Sequence, residues 1–221
     1  MSEVFTLETM IDIKDALAQT SQMVGISLFW AIMGGIPLGL ILYLTSSLYF
    51  NPSKVAYNIS SLIVSIIRSI PFVILLVLLL PLTRLITGST IGSLAASVPL
   101  SVASIAFIAR LAENSFQNVE KGVIEAALAS GAGNLSIIKD VLVTEALPSL
   151  VNDITVTAIS LIGYSAMAGI VGGGGIGDLA IRFGYYRYQT GVMLLTVFIL
   201  VVLVQLIQWF GDLLVRKLSH K

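Results

Sequence analysis

The chain of 221 residues is 57% hydrophobic and 11% charged, with a mean hydropathy of +0.99; soluble domains carry about a quarter charged residues, so water would not keep this composition dissolved. Twelve basic and twelve acidic side chains cancel to a formal net charge of zero, which excludes the basic footprint of a nucleic-acid binder. The absence of cysteine and a single histidine, His220, exclude disulfide frameworks, thiolate catalysis and an interior metal site built on those residues.

The N-terminal segment carries Glu3, Glu8, Asp12 and Asp15 in place of a basic n-region, so it is expected to stay on the mature protein and not to be cleaved as a signal peptide. Residues 7 to 19 interleave Leu7, Met10, Ile11 and Leu17 with acids, which predicts a short amphipathic segment along the outer membrane surface. Five charge-poor stretches then approach the roughly 20 residues that a helix needs to cross the hydrocarbon layer. They lie at about 22 to 45, 56 to 82, 90 to 109, 150 to 171 and 190 to 211. The expected fold is an all-α, polytopic membrane helix bundle of about five transmembrane helices with one cytoplasmic helix, in a single membrane domain over residues 1–221.

In the first span Ala31, Gly35 and Gly39 recur every four residues, a stripe that lets a neighbouring backbone come close. The stripe fits a static contact or an interface that opens and closes. In the second span Ser61, Ser65 and Ser69 share a face with Arg68 beside them and Pro71 following, so that face should avoid lipid. It could line a polar path or form an interhelical switch; alternatively the serines bond their own backbone carbonyls and Arg68 meets a lipid phosphate. Between the third and fourth spans, residues 110 to 150 turn polar for longer than a minimal loop requires. Val119, Val123, Ile124, Ala127 and Leu128 fall on one helical face, predicting a surface helix over about 118 to 130 that Gly131 and Gly133 stop. Asn134 is placed to cap a second helix carrying Ile137, Ile138, Val141 and Leu142, with Pro148 ending it before the fourth span. The fifth span is apolar nearly all round except Gln205 and Gln208, which suits a peripheral helix with one polar contact.

Five spans place the termini on opposite sides. One set of loops carries seven basic residues (Lys54, Arg110, Lys121, Lys139, Arg216, Lys217, Lys221), and the other carries four (Lys14, Arg84, Arg182, Arg187). The bias puts residues 110 to 149 and the C-terminus in the cytoplasm and the N-terminus outside. Tyr185, Tyr186 and Tyr188 then lie at the outer interface, and Trp209 and Phe210 near the inner one.

Glu125-Ala126-Ala127 followed by Gly131 resembles the EAA signature of ATP-binding-cassette importer permeases, here within about 118 to 148. The resemblance implies that Glu125, Ala126, Ala127 and Gly131 form a coupling helix docking into a groove of a separate ATPase subunit. Small alanines suit such a groove, and glycine allows a positive φ at the reversal. The later part of the signature, an apolar residue followed by Leu-Pro, is changed here to Val141, Val143 and Thr144 without the proline, so a bend is expected, if anywhere, at Leu147-Pro148 instead. Arg68-Ser69-Ile70-Pro71-Phe72, Gly163-Tyr164-Ser165-Ala166-Met167 and Gly173-Gly174-Gly175-Ile176-Gly177 extend the resemblance to the methionine-uptake branch. Its permeases are homodimers in a bacterial cell membrane, with two ATPase subunits and an extracytoplasmic substrate-binding lipoprotein.

The glycine run by itself reads as a flexible outer loop and lacks the Lys-Ser/Thr ending of a phosphate cradle. No cofactor is expected on this chain, and ATP-Mg belongs to the partner ATPase. Two copies would surround a central two-fold path, with Arg68, Tyr164, Ser165 and Met167 as candidate lining residues beside Gly163. An ion-coupled secondary transporter would need intramembrane acids. Glu113 and Asp153 fall at expected span ends, and Asp178 and Asp212 flank spans. A non-transporting scaffold would leave the EAA pattern without a role; a permeant amino acid or small solute other than methionine remains a second reading within the same class.

Overall fold

The computed structural model describes residues 7 to 50 and 52 to 219; Glu3, His220 and Lys221 lie outside the described residues. The elements are helical throughout: α1 (Glu8–Ser46), α2 (Lys54–Ser69), α3 (Phe72–Leu78), α4 (Leu80–Thr87), α5 (Ser93–Gln117), α6 (Lys121–Ala129), α7 (Asn134–Gly173), α8 (Ile176–Ile181) and α9 (Thr190–Ser219). Helices α1, α5, α7 and α9 are each long and apolar enough to cross a membrane, and α2 with α3 forms a bent pair that is either a fifth, broken span or a re-entrant loop. The break has a local cause. A residue preceding proline is pushed out of helical geometry, and Ile70 before Pro71 is extended at φ −84°, ψ 124°. The two pieces meet at 105°.

Helix α5 is the central post, packed on α1, α2 and α7, while α9 lies on α7 at the periphery. The small-residue stripe of α1 is what brings α5 close. A Cβ built on Gly35 would meet Ile108 and sit 2.8 Å from the Ile105 carbonyl oxygen, and one on Gly39 would sit 2.6 Å from the Ala109 carbonyl oxygen. Ser27 Oγ donates to the Ser97 carbonyl at 3.2 Å, and Ser104 Oγ donates to the Ser27 carbonyl at 3.3 Å, stitching the same pair of helices. Gly39→Val is expected to cost about 1–3 kcal/mol through overpacking, read as a lower Tm of the detergent-solubilised protein. Gly25→Ala is expected to leave Tm unlowered or slightly raised, because a Cβ there meets nothing within 4 Å and alanine favours the helix interior over glycine.

Several sequence expectations are corrected. Residues 7 to 19 do not form a separate surface segment; they are the first turns of α1, continuous with the span. Their inward face is Ile13, Ala16 and Leu17, packed on Ile176, Leu179, Phe183 and Val192, whereas Met10 and Ile11 point outward. Pro148 does not end a helix, because α7 runs from Asn134 through the fourth span with Pro148 inside it, Ala146 and Leu150 being buried on either side. A proline lacks one backbone donor, and the packing around this one keeps the helix going. Asn134 is the first residue of α7, and Gly133 occupies the cap position with no side-chain bond. In α9, Gln208 Nε2 donates to Asp212 Oδ1 of the same helix at 2.8 Å. The grip of α9 on α7 comes from Gly211, where a Cβ would collide with Thr155.

Candidate functional site

The first locus is α6 and the turn after it. Ile124 is buried and pins the helix to a cluster of Tyr43, Phe116, Val119, Ile137 and Leu142. Val123 and Ala127 are half-buried, but Leu128 is 37% exposed and belongs to the outward face together with Glu125 and Ala126. The expected single apolar face is therefore split, one edge packing inward and the other left open. Gly131 stands at φ 79°. Its N–H donates to the Leu128 carbonyl at 3.0 Å, and the Ala132 N–H donates to the Ala127 carbonyl at 3.1 Å. That pair of bonds is a Schellman turn, which closes the helix with its left-handed residue at the glycine.

Glu125 has a partner that local sequence could not supply: Tyr49 Oη donates to Glu125 Oε1 at 2.7 Å across 76 positions of chain. The bond to the carboxylate, then partial desolvation and the carboxylate's charge, raise the Tyr49 pKa above its ordinary value. A raised pKa means that the bond is intact at neutral pH and is lost only as pH climbs through that raised value. A cleft of about 460 Å³ opens beside it, with Ser46, Ser47, Gln117 and Lys121 among its walls.

The second locus is a cleft of about 350 Å³ at the α2–α3 break, with Arg68, Ser69, Pro71, Phe72, Phe107 and Tyr164 among its walls. Tyr164 stacks on Phe72 with ring centroids 5.0 Å apart. Arg68 and Tyr164 are thus brought to one place. Ser165 is not: it is buried, and its hydroxyl donates to the Ile162 carbonyl of its own helix at 2.8 Å. Met167 is 43% exposed on another face of α7 and is absent from the cleft walls.

The glycine run is held in place, in contrast to the flexible loop expected from sequence. The Gly175 N–H donates to Gln19 Oε1 at 2.7 Å and the Ile176 N–H to Thr20 Oγ1 at 2.9 Å. Gly172, Gly174 and Gly175 all have positive φ. The acids expected at span ends are inside helices. Glu113 is 1% exposed and receives Arg110 Nη1 at 2.6 Å and Gln117 Nε2 at 3.3 Å, while Asp153 accepts from Ser115 Oγ at 2.6 Å. Glu113 is thus matched by a fixed cation, and among the described residues no group of three or more His, Cys, Asp or Glu could hold a metal ion.

A bundle of four or five candidate spans with a capped surface helix and a cleft at a bent helix pair is the architecture of a polytopic membrane protein. Comparison with known proteins agrees: the family described as "Binding-protein-dependent transport system inner membrane component" matches residues 35–220, and the chain belongs to it. It is therefore a multi-pass inner-membrane protein. It is 46% identical over 203 residues, 92% of this chain and 90% of the relative, to the probable D-methionine transport system permease protein MetI of Vibrio cholerae. To the methionine import system permease protein MetP of Bacillus subtilis it is 41% identical over 181 residues, 82% of each chain. Its fold is similar, at TM-score 0.93 and 43% identity, to a chain of the MetNI methionine ABC transporter solved in inward-facing conformations, covering 97% of this chain and 99% of that one.

Proposed function

We propose that this chain is the membrane-spanning permease subunit of an ATP-driven methionine importer, working as a homodimer with two separate ATPase subunits that bind ATP-Mg. The observation that carries the reading is the 46% identity across 92% of the chain to a methionine permease component, with no Walker A sequence of its own. A binding lipoprotein delivers substrate on the outer side, where the N-terminus lies. Helix α6 faces the cytoplasm with the C-terminus, in keeping with Lys54, Arg110, Lys121 and Lys139 at that end.

Glu125, Ala126, Ala127 and Gly131 meet the ATPase. Ala126 and Glu125 are open for contact, Ala127 is half-buried in the helix foundation, and Gly131 sets the turn. ATP-driven closure of the ATPases pulls α6, and α7, unbroken from Asn134 past Tyr164 to the kink at Val171 and Gly172, carries that movement to Tyr164 at the cleft. Arg68 offers a cation to a substrate carboxylate, and the stacked Phe72–Tyr164 pair offers an apolar wall to a thioether. Ser165 and Met167 act as packing and surface residues in this conformation, and two copies facing each other would bring Met167 toward the shared path.

The test is uptake of labelled methionine in cells deleted for this gene and complemented with the native chain. Restored uptake, competed by unlabelled methionine and not by other amino acids, is the expected outcome. Uptake unaffected by deletion overturns the substrate, and uptake abolished by a proton uncoupler at constant ATP overturns the energy source.

A further inference from the structure

Ser61 and Ser65, singled out together with Ser69 by their spacing, are not accounted for by the cleft or by α6. The structure gives these two a partner. Arg110 Nη2 donates to Ser61 Oγ at 2.9 Å and to Ser65 Oγ at 3.3 Å. The same guanidinium is fastened to its own helix α5 through Glu113, which is buried. Ser69 makes no bond to another helix; its hydroxyl donates to the Ser65 carbonyl at 2.7 Å, a local bond that leaves its oxygen lone pairs free to accept.

The ladder repeats every four residues, a rise of about 6 Å per step along the helix. Arg110 spans one step and leaves the next one vacant. Helix α2 is also bounded by a non-helical joint at each end. It ends at the 105° break on one side and at the loop after Ser46 on the other. It packs on α1 and α5, and its outer face of Ile59, Leu62, Ile63 and Ile66 is exposed. Packed helices are bistable more readily than continuously deformable, and a one-turn jump is a known form of such a transition.

We propose that the three serines are a two-position track for Arg110, which makes Arg110 a positioning residue of the transport cycle. In the conformation seen here it bridges Ser61 and Ser65; in the alternate one α2 has moved one turn along α5 and Arg110 bridges Ser65 and Ser69. The move carries Arg68 and Ser69, which line the cleft, by the same step, so opening of the cleft is locked to a discrete register. This rests on the reading of the chain as the moving half of an importer.

The experiment uses the full complex with its ATPase in lipid nanodiscs. The chain has no cysteine, so Val55→Cys on α2 and Asn114→Cys on α5, both exposed, give specific spin-label sites in it. The expected result is a change of about 6 Å in the axial offset of α2 on α5 between the nucleotide-free and ATP-bound complex. Ser61→Ala is expected to shift the population toward the ATP-bound register, and Ser69→Ala toward the nucleotide-free one, each about tenfold, the value of one hydrogen bond to a charged group. Ser61→Thr and Ser69→Thr, which keep the hydroxyl, restore the native balance.

Ser69 touches no other helix through its hydroxyl here, so a merely structural role predicts no effect of its removal. Two alanine variants that shift the populations in the same direction, or not at all, overturn the track. Uptake is measured on the same complex in proteoliposomes: normal uptake with a fixed α2–α5 offset overturns the track alone, and a shifting offset without methionine uptake overturns the functional reading alone.

Discussion

Gly131→Val is expected to reduce transport at least tenfold while the protein still inserts in the membrane and binds detergent normally. The cause is conformational and not steric, since a Cβ at Gly131 would meet nothing within 4 Å although its φ is 79°. The left-handed region costs an ordinary residue about 1–2 kcal/mol, and a β-branched one more. The Schellman bonds to Leu128 and Ala127 then compete with that strain, and the end of α6 reopens. Asparagine tolerates the region best among non-glycine residues, so Gly131→Asn should retain most of the activity and Gly131→Val the least. Glu125→Pro should be as damaging by another route, removing a backbone donor inside α6 at about 3 kcal/mol and losing the Tyr49 bond with it. Substrate-stimulated ATP hydrolysis by the assembled complex, set against the amount of complex recovered, separates loss of coupling from loss of assembly. A variant series in which Asn and Val at 131 behave alike would show that the turn's geometry is not what the ATPase reads.

The spans were legible because lipid demands long apolar runs, and α1, α5, α7 and α9 contain them. Their ends were not, and the reason lies in particular residues. Arg110 and Glu113 stop an apolar stretch when counted as two charges, yet α5 continues to Gln117 because the pair neutralises itself one turn apart. The acids at the start of α1 hid the fact that its other face packs on α8 and α9.

At the candidate site, the spacing of Glu125 and Gly131 was visible because helix and turn are local, and the positive φ followed from the glycine. Tyr49 was invisible because nothing in the sequence near either residue encodes a contact 76 positions away. Arg68 and Tyr164 share a cleft only because Pro71 breaks the span at an angle that a proline permits but does not specify. The position of Ser165 was illegible for a related reason: a serine in a span can bond its own helix, and here the Ile162 carbonyl takes its hydroxyl.

Arg110→Leu is expected to be the most destabilising single change in the bundle. Glu113 is 1% exposed, and without the guanidinium at 2.6 Å it keeps only the Gln117 amide at 3.3 Å. Breaking a buried pair by removing one partner costs about 3–5 kcal/mol, because it leaves a charge without compensation, whereas replacing both partners by apolar groups is often close to neutral. The double variant Arg110→Leu/Glu113→Leu should therefore recover most of the Tm lost by the single one, measured on the detergent-solubilised complex. Recovery of Tm need not bring back transport. The double variant still lacks the guanidinium that holds Ser61 and Ser65, so a complex that is stable but slow in uptake would separate what the pair does for the fold from what Arg110 does for movement. If the double variant were as unstable as the single one, the loss would lie in the interhelical bonds to α2 and not in the orphaned carboxylate. Ser61→Ala in the native background would then reproduce part of it, since that change removes a bond to Arg110 while leaving the Arg110–Glu113 pair intact.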